Sequence, residues 1–89
     1  MKVLIVEAEI MAQKSLVRTL SQNFNDMEGI GTTTSVKGTV AWWKENEVKP
    51  VILFMDVELS DGICFEIFRQ INLQQAKVIM TTAYDSYAL

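Results

Sequence analysis

The chain has 89 residues, a formal net charge of −3 and no histidine, so it holds one small domain and lacks histidine-based catalysis and most zinc chemistry. Its acidic balance argues against direct nucleic-acid contact through a basic face. No apolar run approaches the roughly 18–20 residues that span a bilayer, and the lone Cys64 favours a reduced compartment, so we expect a cytoplasmic protein without membrane contact.

Short apolar runs alternate with segments of helical periodicity. Runs such as 3–6 and 51–55 end abruptly on an acid, which is typical of strands buried in a parallel sheet. Ser60 or Asp61 precedes the third helical segment and is a candidate N-cap for it. In chain order, the predicted elements are strand 3–6, helix 10–23, strand 30–35, helix 36–47, strand 51–55, helix 64–71 and strand 76–81, followed by the first turn of another helix.

This β-α-β-α-β-α-β order predicts a three-layer α/β fold. Parallel strands joined by short right-handed crossovers place helices on both faces of one sheet. The carboxyl ends of the strands then gather at one edge, where open α/β sheets bind their ligands.

Polar residues stand at the carboxyl ends of three predicted strands. Glu7 follows the first strand, Asp56 ends the third, and Thr81 and Thr82 close the fourth. Carboxylates held together repel each other unless a cation lies between them, and oxygen ligands favour Mg²⁺. Such a carboxylate beside a hydroxyl donor suits the acceptance of a phosphoryl group. The plainer interpretation is that these are loop-edge acids and a strand-end hydroxyl.

Three motifs in this order resemble the receiver domain of two-component response regulators. They are Lys-Val-Leu-Ile-Val-Glu at 2–7, Phe-Met-Asp at 54–56 with Gly62 six residues on, and Thr-Thr-Ala at 81–83. Segments 56–62 and 81–89 are most similar to receivers of the LytTR class. The resemblance implies a flavodoxin-like sheet of strand order 2-1-3-4, with a fifth strand and a last helix that residues 1–89 lack.

The resemblance also implies roles for individual residues. Asp56 corresponds to the phosphoacceptor, Glu7 to the first residue of the acidic pair, Glu58 to the backbone carbonyl that binds Mg²⁺, and Thr82 to the switch hydroxyl. A sensor histidine kinase is the expected donor, and a LytTR-type DNA-binding output domain is expected outside this chain. A receiver is a signalling domain rather than an enzyme, with at most slow self-phosphorylation from small donors and self-dephosphorylation.

The chain departs from the receiver pattern in two places. Ala8 stands where the family has an acid that ligates Mg²⁺ directly, so we expect weak or absent Mg²⁺ binding and slow or absent phosphorylation. A second interpretation follows, in which a degenerate receiver acts as a phosphorylation-independent interaction module. The end at Leu89 leads us to expect one truncated receiver domain over 1–89 that self-associates through the exposed edge of its fourth strand, 77–80.

Two other classes of function fit the sequence less well. A haloacid-dehalogenase-type phosphatase also uses a strand-end aspartate, but its second aspartate corresponds here to Glu58, and its downstream motifs are missing from this chain. A nucleotide binder is disfavoured because no glycine-rich loop follows the first strand.

Overall fold

The computed structural model describes residues 1–74 and 76–81. The described part contains three α-helices and six strands, two of them only two residues long. The elements are β1 (Lys2–Val6), α1 (Ile10–Asn23), β2 (Glu28–Thr33), α2 (Val36–Glu45), β3 (Ile52–Met55), β4 (Glu58–Leu59), β5 (Gly62–Ile63), α3 (Phe65–Gln70) and β6 (Lys77–Met80).

The main sheet has the strand order β2-β1-β3-β6, and all of its neighbouring strands are parallel. This is the predicted 2-1-3-4 order, since the predicted fourth strand is β6. The prediction omitted the small antiparallel hairpin of β4 and β5 that intervenes. Strands of two residues are too short to show the alternation by which a strand is recognised in sequence.

Two apolar clusters lie on the two faces of the sheet. One face of β1 and β3 packs against α2 and α3, and its buried residues are Leu4, Val6, Val36, Val40, Trp43, Leu53, Met55, Val57, Leu59, Cys64 and Ile67. The other face packs against α1 in a smaller cluster built on Val3, Ile5 and Leu20. Cys64 is fully buried within the larger cluster.

The predicted helices are present, but several apolar residues in or next to α1 and α3 are not buried. Val17 and Phe24 of the α1 region and Phe68 of α3 remain 43%, 46% and 39% exposed. Leu16 and Leu20 make apolar contacts between α1 and the sheet. Successive helical residues are about 100° apart, so Val17 points away from the line that Leu16 and Leu20 share.

The hairpin corrects the predicted cap of the third helix. Neither Ser60 nor Asp61 caps α3, which begins after Cys64 without a side-chain cap. The Asp61 carboxylate instead accepts hydrogen bonds from the backbone N–H groups of Val36 (2.6 Å) and Lys37 (3.0 Å), at the start of α2. The turn between β4 and β5 carries Asp61 away from its own helix, and sequence adjacency could not reveal this.

No helix in residues 1–74 or 76–81 is both long and apolar enough to cross a membrane.

A bulge in β2 brings a glycine against the indole ring of Trp42. The pairing of β1 with β2 shifts between Val3 and Leu4, whose partners are Gly29 and Gly31. A Cβ atom added to Gly31 would lie 2.6 Å from Trp42 Nε1 and 3.2 Å from Leu4 Cδ1. The close approach of the ring therefore requires glycine at position 31.

We expect Gly31→Ala to lower the free energy of unfolding by about 1–3 kcal/mol, because the new methyl group displaces the packed indole ring. The matched control is Gly29→Ala, where an added Cβ meets nothing within 4 Å and the change should stay within about 0.5 kcal/mol. Urea unfolding followed by tryptophan fluorescence measures both. Equal effects of the two substitutions would contradict this account of the bulge.

Candidate functional site

The backbone brings Glu7, Asp56 and Thr81 to the same edge of the sheet. Val6, Met55 and Met80 are paired across β1, β3 and β6, so the residues that follow them are also neighbours. The Asp56 N–H donates to the Val6 carbonyl (2.9 Å), and the Thr81 N–H donates to the Met55 carbonyl (3.0 Å). The predicted convergence of Glu7 and Asp56 is therefore present.

The carboxyl groups of Glu7 and Asp56 lie within hydrogen-bonding reach of each other. Burial is the largest influence on Glu7 and raises the pKa of its carboxyl above the usual 4.5. The backbone N–H of Glu9 opposes this effect, whereas the side chain and charge of Asp56 and the charge of Glu9 raise the pKa further. The site thus concentrates negative charge, which a bound cation would relieve.

The residues after β1 show how Ala8 changes this acidic cluster. The Glu9 N–H donates to Glu7 Oε2 (3.1 Å) and so orients the Glu7 carboxylate within the loop. Ala8 is half-buried between the two acids and adds no oxygen ligand. Glu9 is exposed, and its negative charge contributes to the raised pKa of Glu7.

Of the two other predicted site residues, Glu58 and Thr82, the structure describes only Glu58. Glu58 is exposed in β4, two residues after Asp56, and is paired with Ile63 of β5. Thr82 lies outside the described residues. Its neighbour Thr81 has a solvent-shielded hydroxyl for which the described part of the chain offers no hydrogen-bond partner.

Two residues near the edge were missed by the sequence reasoning. The buried side-chain amide of Gln13 donates to the backbone carbonyls of Glu7 (3.4 Å) and Thr33 (3.3 Å), where β1 and β2 end. Gln13 lies on the same helix face as Leu16 and Leu20, and a polar residue on that otherwise apolar face was the sequence signal that could have identified it. The Cys64 N–H donates to the carbonyl of Val57, the residue after Asp56 (2.8 Å), and burial and the charge of Asp56 both raise the pKa of the Cys64 thiol. No sequence pattern indicated this second contact.

The donor set suits a hard cation, but it is small. Carboxylate and carbonyl oxygens are the ligands that Mg²⁺ prefers. Among residues 1–74 and 76–81, no group of three or more His, Cys, Asp or Glu side chains is arranged to hold a metal ion. Glu7 and Asp56 therefore supply two carboxylates at this edge, one fewer than such a group requires.

Comparisons with known proteins agree with this fold. No protein-family model matches the chain. The sensory transduction protein LytT of Bacillus anthracis is 34% identical over 91 residues, and LytT of Bacillus subtilis is 32% identical, each covering the whole chain. The structure of the MaeR response regulator bound to beryllium trifluoride superimposes with a TM-score of 0.74 over 94% of this chain and 68% of that one, at 19% identity.

The chain is a receiver domain of the response-regulator family. Its sequence relatives place it with LytT-type regulators, and the structural match independently supports the receiver fold. The receiver spans 36% of the length of the LytT proteins it matches.

We expect Glu7→Gln to raise the stability of the receiver at pH 7. The pKa of Glu7 is raised in the folded chain, so stability is lost as the pH rises from about 4.5, its value in the unfolded chain, through the folded value. Glutamine removes that loss but keeps an acceptor for the Glu9 N–H. Urea unfolding between pH 4 and 8 should show a flatter pH dependence for the variant.

The control for this measurement is Glu28→Gln, which changes an exposed carboxylate at the opposite end of β2. A profile of stability against pH for Glu7→Gln that parallels the profile of the unsubstituted protein would show that ionisation of Glu7 does not lower the stability.

Proposed function

We propose that residues 1–89 belong to a single receiver domain in which Asp56 accepts a phosphoryl group from a cytoplasmic sensor histidine kinase. The observation that carries the proposal is the close pair of carboxyl groups, Glu7 and Asp56, at the carboxyl edge of a parallel sheet. In this reaction the P–N bond of a phosphohistidine breaks, and a P–O bond forms to a carboxylate oxygen of Asp56. The leaving imidazole nitrogen regains its electron pair.

The chain's own residues prepare Asp56 for this reaction. The Asp56 N–H is bonded to β1, so the carboxylate is held at the end of a rigid strand. Glu7 and the backbone carbonyl of Glu58 are the proposed further Mg²⁺ ligands, and bound Mg²⁺ would offset charge on the transferring oxygens. Thr82 is the proposed switch residue, whose hydroxyl donates to the phosphoryl group after transfer.

Ala8 is the proposed reason for slow phosphorylation. Two carboxylates hold a divalent cation less tightly than three, and a methyl group supplies no ligand. Unrelieved repulsion between Glu7 and Asp56 also disfavours the doubly ionised pair that binds the cation.

The proposed readout lies in the longer protein. The LytT relatives are almost three times as long as this chain, since it spans 36% of their length. We propose that phosphorylation of Asp56 controls an attached LytTR-type DNA-binding domain, and that the receiver itself makes no direct contact with nucleic acid.

We expect acetyl phosphate with Mg²⁺ to label the unsubstituted protein slowly and Asp56→Asn not at all, because asparagine lacks the nucleophilic carboxylate. Ala8→Asp should label faster and at lower Mg²⁺ concentration, since it supplies the missing ligand. Radiolabel incorporation and intact mass measure both effects. Label that persists in Asp56→Asn would contradict the assignment of the acceptor.

The alternative function is a phosphorylation-independent interaction module. It is favoured by Ala8 together with the small donor set of the described residues. In that case the full-length protein binds its target equally well with and without the Asp56→Asn substitution, and neither form incorporates phosphate. Unchanged target binding without any phosphate incorporation would therefore support the interaction-module function.

We also propose that the 89-residue chain self-associates through β6. In the part of the chain that the structure describes, β6 pairs with β3 and lies at one edge of the sheet. The N–H groups of Lys77 and Thr81 donate to the β3 side. Alternate residues of a parallel strand bond to the same neighbour, so the N–H groups of Val78 and Met80 point away from β3.

We expect sedimentation of the 89-residue chain to show concentration-dependent association that Met80→Pro weakens, because proline removes an outward N–H donor. Met80→Ala keeps that donor and is the control for loss of the side chain. A monomer at all concentrations would refute self-association through this edge.

A further inference from the structure

The segment that follows Asp56 is held at its tip by a contact with another part of the fold. It consists of β4, a two-residue turn and β5, and a hairpin this short has little stability of its own. Gly62 has a φ of +155°, a conformation that side-chain-bearing residues rarely adopt. This backbone turn leaves Asp61 at the tip of the hairpin.

The base of the hairpin is anchored by apolar packing. Val57 and Leu59 are buried in the larger apolar cluster, and the Cys64 N–H closes the base by donating to the Val57 carbonyl (2.8 Å). Glu58 lies between these two buried residues and is itself exposed. Apolar packing therefore holds the side chains on either side of Glu58, whereas the outer end of the hairpin depends on polar contacts.

The tip is anchored by charge. Both carboxylate oxygens of Asp61 are used, one on the Val36 N–H (2.6 Å) and one on the Lys37 N–H (3.0 Å). Hydrogen bonds from the first turn of a helix to a carboxylate are charge-assisted and are favoured by the helix dipole. These bonds also lower the pKa of Asp61 below the usual 3.8. Ser60 adds a longer, neutral tether, through its N–H and Oγ to the Thr34 carbonyl (3.2 and 3.1 Å).

We infer that Asp61 is a positioning residue of the acceptor site: its carboxylate fastens the tip of the β4–β5 hairpin to the first turn of α2 and thereby holds the main chain of Glu58 in place beside Asp56. The part that concerns Mg²⁺ rests on the proposed function, in which the Glu58 carbonyl is a ligand. The part that concerns the hairpin rests only on the contacts described.

Ser35 provides a matched control on the same helix. Its Oγ accepts the Gly38 N–H (2.8 Å), so Ser35→Ala also removes a cap from the first turn of α2. The Ser35 side chain has no hydrogen bond to the hairpin among those of the described residues, whereas Asp61 links hairpin and helix. A purely structural role predicts the same result for Asp61→Ala and Ser35→Ala.

The first measurement is amide hydrogen exchange on the full chain without phosphodonor. Asp61→Ala should speed exchange at the Ser60 and Cys64 amides by about fivefold, the ratio that corresponds to loss of one helix cap. Ser35→Ala should leave these two amides unchanged and speed exchange at Gly38 instead. Equal exchange at Ser60 and Cys64 in the two variants would overturn the inference.

The second measurement is the Mg²⁺ dependence of labelling by acetyl phosphate. Asp61→Ala should raise the half-saturating Mg²⁺ concentration several-fold and leave the rate at saturating Mg²⁺ nearly unchanged, while Ser35→Ala changes neither. Asp61→Asn, which keeps one carbonyl acceptor, should restore part of the Mg²⁺ affinity that Asp61→Ala loses.

The two measurements separate the inference from the proposed function. If the unsubstituted protein takes no label, the proposed function fails, and the exchange experiment alone decides the role of Asp61. If it is labelled and Asp61→Ala has the same Mg²⁺ dependence as Ser35→Ala, the positioning of Glu58 is refuted while the phosphoacceptor role stands.

Discussion

The alignment of parallel strand ends is the constraint on which the rest of this molecule depends. Because β1, β3 and β6 run in the same direction and in register, the residues that follow Val6, Met55 and Met80 become neighbours. Two of those residues, Glu7 and Asp56, are acids. Their proximity is unfavourable for folding, since burial and mutual repulsion both raise the pKa of Glu7. Under the proposed function this cost is offset, because the same crowding prepares Asp56 to bind a cation and a phosphoryl group.

The structure supports this edge through contacts from several elements rather than through the sheet alone. Gln13 of α1 bonds to the backbone where β1 and β2 end, and the Cys64 N–H at the start of α3 donates to the carbonyl of Val57, the residue after Asp56. Asp61 ties the hairpin after Asp56 to α2. All three helices of the described residues thus contribute to the surroundings of the site. The apolar clusters stabilise the layers, and the polar contacts decide where the loops at the edge lie.

Ala8 separates this receiver from the usual pattern in a physically simple way. Replacing a carboxylate by a methyl group lowers the negative charge of the site and removes a cation ligand at once. The first change lowers the total repulsion within the acidic cluster, and the second lowers its affinity for a cation. Glu7 is still oriented by the Glu9 N–H, so the loop after β1 keeps an ordered acidic geometry. The two proposed functions, phosphoacceptor and interaction module, differ in whether Glu7 and Asp56 alone suffice to bind Mg²⁺.

The layer architecture and the meeting of Glu7 with Asp56 could be predicted from the chain's own residues, because apolar periodicity and the rule that parallel strands end at one edge are local or topological. The strand order was implied by the resemblance to receiver domains rather than by periodicity. The contacts of Asp61, Gln13 and Cys64 became evident only in the folded structure. Asp61 comes only four residues before α3 in the sequence, yet it caps α2, whose first residue lies 25 positions earlier. Such contacts depend on how a short turn is oriented in space, and that orientation is set by packing against the rest of the fold rather than by the residues of the turn.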